Sequence, residues 1–484
     1  MKSENRNIMT LKWAVLVFLL CSSCSRFVEV DPPITSTNGD NVFNEDASAM
    51  AVMTGVYTNM SQANVGDMTG RLTNVFFTTG LTGDELELRD KSNSYYGLYY
   101  SNNISPIEST WANIYNMIFI ANSAIEKLPN GKLLTLAVKN QAMGEAKFIR
   151  ALCYFYLVNL YGDVPLALTT DYKLNDLLPR SPSETIYDQI ILDLKDAQNL
   201  LSINYVDKDG ISNSVERVRP TKWAATALLA RVYLYKGSYN DAILQSSTII
   251  NNSVTYELVN LNEVFLKNSR EAIWQLQPVG ISVNRTANTR EGILLKILPE
   301  NNEPLVFLSQ GLVDSFDDKD QRKVNWINTV TTLNGSKYTY AYKYKIGSEE
   351  SGTKEYSTVF RLGEQYLIRA EANIQMGNIE QGISDLNKIR IRATDLTVVV
   401  SQQFSKLPSG LSKSEALLAV EEERRHELFT EWGHRWLDLK RTRRADAVLS
   451  TKSGWQSTDQ LFPLPQTDIL ANPNLKGQQN PGYN

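Results

Sequence analysis

Along most of this chain, apolar residues return at helical spacing. Val52, Val56 and Met60 would share one face, and so would Ile114, Ile118, Ala121 and Ile125. Gln141–Tyr161 (QAMGEAKFIRALCYFYLVNLY) predicts one long amphipathic helix, closed by Gly162 and Pro165. Ser183–Leu201 opens on a good start signal, Ser183 between Pro182 and Glu184. Thr221–Lys236 and Tyr239–Asn251 predict a helical hairpin turning at Gly237. Gly363–Met376 and Ile379–Arg392 predict another, turning at Gly377. Residues 255–360 differ. Ala272–Gln277 alternates like a strand, and Tyr338, Tyr340, Tyr342 and Tyr344 alternate with Thr339, Ala341 and Lys343. The pattern predicts a mainly α protein with inserted loops and short β elements.

The two hairpins share a spacing. Ala230 precedes Gly237, with Tyr233 between them and small Ala242 beyond; Ala370 precedes Gly377 by the same interval, with Gly382 in the place of Ala242. Ala151 and Tyr154 repeat the Ala230/Tyr233 step. This resembles the tetratricopeptide repeat, whose small residues let paired helices approach, though no regular period of about 34 residues holds.

At the amino terminus, Lys2, Arg6 and Lys12 surround or precede the apolar run Trp13–Leu20. That run is far short of the roughly 20 residues a spanning helix needs. A basic start, a short apolar core and small residues after it predict a signal peptide over residues 1–23. Ser23-Cys24 resembles a bacterial lipobox with Cys24 as the lipid acceptor, although Cys21 stands where Leu is usual. Lipidated Cys24 would hold the protein to a membrane surface, and residues 24–44, with Pro32-Pro33, would form a tether. The third cysteine, Cys153, falls in an apolar helical run, so the exported chain has no disulfide framework. Charge is nearly balanced, 49 Lys+Arg against 53 Asp+Glu, with no basic stripe, which argues against nucleic acid as a partner.

Catalytic patterns fail on inspection. His426-Glu427 opens like a zinc-protease motif, but Thr430 stands where the second histidine belongs, and His434 is two helical turns away. Asp207, Asp209, Gly210 and Glu216 sit at calcium-loop spacing, yet Tyr205 occupies the first ligand position, so a solvated turn is the better reading. Carboxylate pairs such as Asp314 and Asp317 read as acidic surface. The sequence predicts no cofactor, no metal and no enzyme.

Specific signals lie in the carboxy-terminal third. They are Arg369-Ala370-Glu371-Ala372, Arg424-Arg425-His426-Glu427-Leu428, Arg435-Trp436-Leu437-Asp438-Leu439-Lys440-Arg441, Pro463-Leu464-Pro465 and Gln479-Asn480-Pro481-Gly482-Tyr483. Upstream stand Glu145–Ala151 with Leu160–Pro165, and Val313-Asp314-Ser315-Phe316 with Asp320 and Arg322. In this order the motifs resemble the RagB/SusD family of Bacteroidetes outer-membrane lipoproteins. The resemblance implies a SusD-like helical scaffold, with an amino-terminal region over 45–255 and a carboxy-terminal domain over 256–484. It also implies a surface protein that binds a nutrient, usually an oligo- or polysaccharide, and lids a SusC-like TonB-dependent transporter without chemistry on the ligand. An envelope scaffold without a small ligand and a surface glycosidase are the alternatives.

Within the motifs, Glu421 with Arg425 and Glu431 with Arg435 predict i,i+4 ion pairs on one helix, Val420–Arg441. Trp432 and Trp436 would share its core face, and the terminal NPGY would dock the chain end. Sugar binding needs aromatic faces beside polar groups. The segment Asn93–Asn103 offers Tyr95, Tyr96, Tyr99 and Tyr100, with Asp84, Glu85 and Arg89 just upstream; Trp326 is a further candidate.

Overall fold

Helix starts are fixed by side chains that accept otherwise orphaned backbone N–H groups. In the computed structural model, Thr135, Thr221 and Ser412 cap three long helices this way, and Ser412 and Glu415 form a reciprocal capping box. Each such cap stabilises its helix by about 1 kcal/mol. The structure describes residues 41–61, 72–105, 110–279, 288–301, 303–347 and 352–483. The predicted signal peptide, Cys24 and the tether up to residue 40 lie outside them. Phe43–Asn484 pack as one unit. No helix among the described residues is long and apolar enough to cross a membrane.

The elements that carry the argument are α1 (Asp46–Ser61), α2 (Val75–Thr82), β1 (Leu86–Leu88), α3 (Tyr96–Tyr100), α4 (Thr110–Lys127) and α5 (Leu136–Tyr161). Then come the short pair β2 (Val164–Pro165) and β3 (Arg180–Ser181), and the helices α6 (Ser183–Leu200), α7 (Lys222–Lys236) and α8 (Tyr239–Ile250). The strands β4 (Ala272–Leu276), β5 (Val306–Leu308), β6 (Ile327–Thr331), β7 (Lys337–Ala341) and β8 (Ser357–Arg361) follow. Last are α9 (Leu362–Gln375), α10 (Ile379–Arg392), α11 (Lys413–Leu428) and α12 (His434–Arg441).

From α4 to α10 each of these long helices packs on the next, and α11 lies against α9. Both predicted hairpins form, turning through left-handed Gly237 and Gly377 (φ 74° and 88°). The small residue after the second turn is a steric requirement. A Cβ on Gly382 would lie 2.4 Å from Ile374 Cγ1 and 2.7 Å from the Ala370 carbonyl oxygen. One expectation changes here. α5 is buried around nearly its whole circumference, so it is a central helix rather than an amphipathic one. Its polar residues are paired: Arg150 forks onto Asp193 at 2.8 and 2.7 Å, and Glu145 accepts from Arg219 and Tyr57.

The strands form four antiparallel pairs: β1–β5, β2–β3, β4–β8 and β6–β7. All five residues of β4 are buried, so its apparent alternation does not mark an exposed face, and two register shifts bend the β4–β8 ladder. Trp274 stacks on Phe360 there at 6.1 Å. The tyrosine strand ends at Ala341; Tyr344 lies beyond it, buried, with its hydroxyl accepting from the Thr358 N–H.

The predicted helix Val420–Arg441 is two helices. Left-handed Thr430, Trp432 and Gly433 (φ 54°, 45° and 75°) break it. The break turns Glu431 away from Arg435, and Glu421 and Arg425, though one turn apart on α11, are drawn to other partners, so neither expected pair forms. Arg425 instead reaches Asp84 at 3.1 Å, and Glu421 takes Arg435 and Arg444 at 3.4 and 3.1 Å. Glu431 goes to Lys343 and Arg361 at 2.6 and 2.8 Å. Trp432 and Trp436 are both in the core, though no longer on one helix face. The chain end docks as expected: Asn480 Nδ2 donates to the carbonyls of Tyr161 and Phe462 at 2.9 and 2.7 Å.

Candidate functional site

The β1–β5 pair has two unlike faces. Leu86, Leu88, Val306 and Leu308 point into the core, whereas Glu87 and Phe307, register partners, share the half-buried outer face. This is ordinary period-two alternation with one face solvated. On the outer face Phe307 meets Tyr338 of β7, ring centres 5.4 Å apart. Tyr100 of α3 donates its hydroxyl to Glu87 Oε2 at 2.6 Å. Lys91 Nζ lies 3.5 Å from the same carboxylate and 4.7 Å above the Tyr100 ring. Lys452 Nζ lies 5.0 Å from that ring as well. Arg89, two residues after Glu87, donates its backbone N–H to Leu305 and sets its guanidinium 3.3 Å from Glu303.

The tyrosine segment enters this face through a side-chain cap. Asn93 Oδ1 accepts from the N–H groups of Tyr95 and Tyr96 at 3.0 and 2.9 Å and starts α3. Tyr95 is 39% exposed, and its ring meets Tyr96 edge-on at 5.3 Å. Tyr96 in turn meets buried Phe77 at 5.4 Å. The result is a face on which Tyr100, Phe307 and Tyr338 are linked through Glu87, beside Lys91 and Arg89, with Tyr95 and Tyr96 at the start of the short helix that carries Tyr100. Such a surface offers flat faces to C–H groups and charged hydrogen-bond partners to hydroxyls.

Four of the predicted site residues serve the interior instead. Asp84 takes Arg435 at 2.9 Å and Arg425 at 3.1 Å; burial opposes its charge, but the Arg435 hydrogen bond and the two guanidiniums hold its pKa below the ordinary value. Glu85 is buried and accepts from the Thr430 N–H at 3.2 Å, with its pKa pushed up to about 8 by burial and by the Asp84 charge. Tyr99 is buried against Phe462. Trp326 is 0% exposed, with its indole N–H donating to the Leu261 carbonyl at 2.9 Å and Lys343 4.8 Å from its ring. Glu85, Tyr99 and Trp326 are corrected to packing and pairing roles because they are buried, and Asp84, partly exposed, because both its oxygens are taken by Arg435 and Arg425. Arg89, Tyr95, Tyr96 and Tyr100 stay at or near the surface. Sequence reasoning missed Glu87, Lys91, Glu303 and Phe307; the first two could have been found by their spacing around Arg89, whereas only the β1–β5 pairing brings in the others.

A second concavity, of about 470 Å³, lies between α4 and the loop after β2, with Trp111, Tyr115, Phe119 and Tyr172 in its walls. Several of its polar groups are already used: Trp111 Nε1 donates to Asp468 at 2.6 Å, Tyr115 to the Pro165 carbonyl, and Asn122 to the Ala167 carbonyl. The outer face of β1–β5 has the richer set of polar groups.

Neither histidine is placed for catalysis. His426 packs against Phe316, ring centres 4.3 Å apart, with Nε2 3.0 Å from Ser315 Oγ, and burial with the nearby arginines drives its pKa down to about 2. His434 is buried and likewise depressed. Among the described residues no group of three His, Cys, Asp or Glu side chains is placed to hold a metal. The loop at Asp209 is a hydrogen-bonded turn, its carboxylate accepting from the N–H groups of Ile211 and Ser212.

Fold and face together define a scaffold of paired helices whose β1–β5 pair presents a half-buried face of aromatic and charged side chains. Comparison with known proteins places it further. A family model described as "Starch-binding associating with outer membrane" matches residues 26–234, and one described as "SusD family" matches residues 306–483. SusD-like protein P2 of Formosa agariphila is 27% identical, over 97% of this chain and 98% of its own length. A solved SusD homolog from Bacteroides thetaiotaomicron superposes with a TM-score of 0.77 at 21% identity, covering 93% of this chain and 99% of that one. A solved "Laminarin binding SusD-like protein" gives 0.74 at 22% identity, covering 91% and 100%. The chain belongs to the SusD/RagB family.

Proposed function

We propose that this protein is a cell-surface nutrient-binding lipoprotein, anchored through Cys24, that lids a SusC-type TonB-dependent transporter and delivers a glycan to it without catalysis. The observation that carries the binding part is the meeting on one outer face of Tyr100 and Glu87 from the amino-terminal half with Phe307 and Tyr338 from the other half, with Arg89, Tyr95 and Tyr96 close by in sequence at or near the surface. The family match supports the envelope setting, and a relative of the same fold named for laminarin binding supports a glycan as the ligand class.

The purified protein, titrated against a panel of neutral and acidic oligosaccharides by calorimetry, is expected to bind at least one saturably. Tyr95→Ala and Phe307→Ala should each weaken that binding about tenfold, the scale of one lost aromatic contact of up to about 1.5 kcal/mol. Full affinity in both variants would move the site elsewhere, and no binding across the panel would favour an envelope scaffold. Cys24→Ala should release the protein from the membrane fraction. Co-purification with a barrel-type transporter from native membranes tests the partnership.

A further inference from the structure

Away from that face, a cavity of about 650 Å³ opens where the end of α7 meets α9, α11 and the end of α12. Its charged lining is dominated by Arg424, Arg441, Arg443 and Arg444. The carboxylates beside them are already engaged. Glu371 is held on both oxygens by Arg441 at 2.5 and 2.7 Å. Asp438 takes Arg424 Nε at 2.6 Å and Arg441 Nε at 2.8 Å. Glu421 takes Arg444 and Arg435.

After this pairing, donors are left over. Arg424 is 3% exposed, and neither Nη1 nor Nη2 has an acceptor among the described residues. The buried Tyr235 hydroxyl, which lines the same cavity, has none either. Arg443, exposed on the lining and held at a left-handed φ of 59°, has no carboxylate partner among the described residues. Unmade hydrogen bonds from buried groups are costly, most of all for a charged one. Donors without acceptors call for an acceptor-only group. A carboxylate fits, because its two oxygens match the two parallel N–H vectors of a guanidinium. Leu234, Leu417 and Leu418 give the cavity an apolar side for the rest of the ligand.

We propose that this cavity is a binding site for the carboxylate of a small organic acid, received by the outer nitrogens of Arg424 with Tyr235 and Arg443 completing the contact. The site is separate from the β1–β5 face and stands or falls independently of the glycan reading. The test titrates the full-length protein, in detergent, with D-glucuronate and with N-acetyl-leucine, and with their uncharged matches D-glucose and N-acetyl-leucinamide.

At least one acid should bind saturably, and at least tenfold more tightly than its uncharged match. Glucuronate binding identifies a sugar acid as the source, and N-acetyl-leucine binding a peptide end. Arg424 also holds Asp438, so its replacement threatens folding. Tyr235→Phe and Arg443→Gln remove groups with no partner to lose and should each weaken binding three- to tenfold with the unfolding midpoint unchanged. The proposal is overturned if neither acid binds saturably, if acid and uncharged match bind alike, or if both variants bind like the parent.

Discussion

The interior of the carboxy-terminal half and the outer face of β1–β5 use the same residue types to opposite ends. Inside, Arg361 reaches Glu431 at 2.8 Å, Glu271 at 2.9 Å and Glu427 at 2.6 Å, while Arg322 takes Asp320, Glu423 and Glu427 at 2.7, 2.7 and 3.0 Å. Lys343 covers the Phe429 ring at 3.9 Å and the Trp326 ring at 4.8 Å. On the outer face, Arg89 has one carboxylate partner among the described residues, at 3.3 Å, on a glutamate side chain 72% exposed. Charge and aromatic content do not distinguish a site from a core. Saturation does: where each cation already has several fixed partners, nothing is left for a ligand.

The strongest way to break this contrast is to open the interior network. Glu427 accepts from Arg361 and Arg392 on one oxygen and from Arg322 on the other. Glu427→Ala would leave three guanidiniums facing one another in the core, and loss of one buried partner costs about 3–5 kcal/mol. Chemical denaturation should record a loss of that order. A loss below about 1 kcal/mol would mean that the network is not what holds this half together. Burial opposes the Glu427 charge, but Arg392, Arg361 and Arg322 hold its pKa well below 4.5. Its contribution is therefore present above the unfolded value and is lost as pH falls through the folded one.

Glu85 carries the opposite sign. With its pKa raised from 4.5 to about 8, the folded protein keeps a proton that the unfolded chain releases. That stabilisation is full below about pH 4.5 and is lost as pH rises through about 8, a fall on the order of a few kcal/mol. Glu85→Gln should flatten the decline in unfolding free energy between pH 5 and 8 and leave the variant the more stable at pH 8. An unchanged slope would refute a neutral Glu85.

A third prediction concerns the helix hairpins. Gly382→Ala should cost about 1–3 kcal/mol, since its Cβ would press on Ile374 and the Ala370 carbonyl. A neutral result in thermal unfolding would show that α9 and α10 can separate without penalty. This contact marks how far the sequence was legible. Spacings of Ala370, Gly377 and Gly382 are local, and they reported the hairpin correctly. The break after Leu428 was not legible, because Trp432 adopts a left-handed φ of 45° that no propensity favours, and with it went the expected partner of Glu431; Glu421 and Arg425 were misread because their partners, Arg435, Arg444 and Asp84, are brought in by the fold. Trp326 was a candidate as an aromatic residue, but it follows Asp320 and Arg322, which the fold buries with it in the network. Phe307 and Glu303 join the face only by strand pairing across more than two hundred residues, which leaves no local trace.

The smallest effect on stability should come from Arg89, and it separates the two regions most sharply. Its pair with Glu303 is exposed, and exposed pairs contribute between about 0 and 1 kcal/mol. Arg89→Gln should thus shift the unfolding free energy by less than about 0.5 kcal/mol, against several for Glu427→Ala. Yet the same guanidinium stands beside the Tyr100, Glu87 and Phe307 face with donors that Glu303 does not use up, so a bound sugar hydroxyl would find it. Arg89→Gln is expected to weaken glycan binding about three- to tenfold, the scale of one net hydrogen bond of about 0.5–1.5 kcal/mol. If stability fell by as much as affinity, Arg89 would be holding the β1–β5 edge together, and the contrast between a saturated core and an unsaturated face would fail at the residue chosen to represent it.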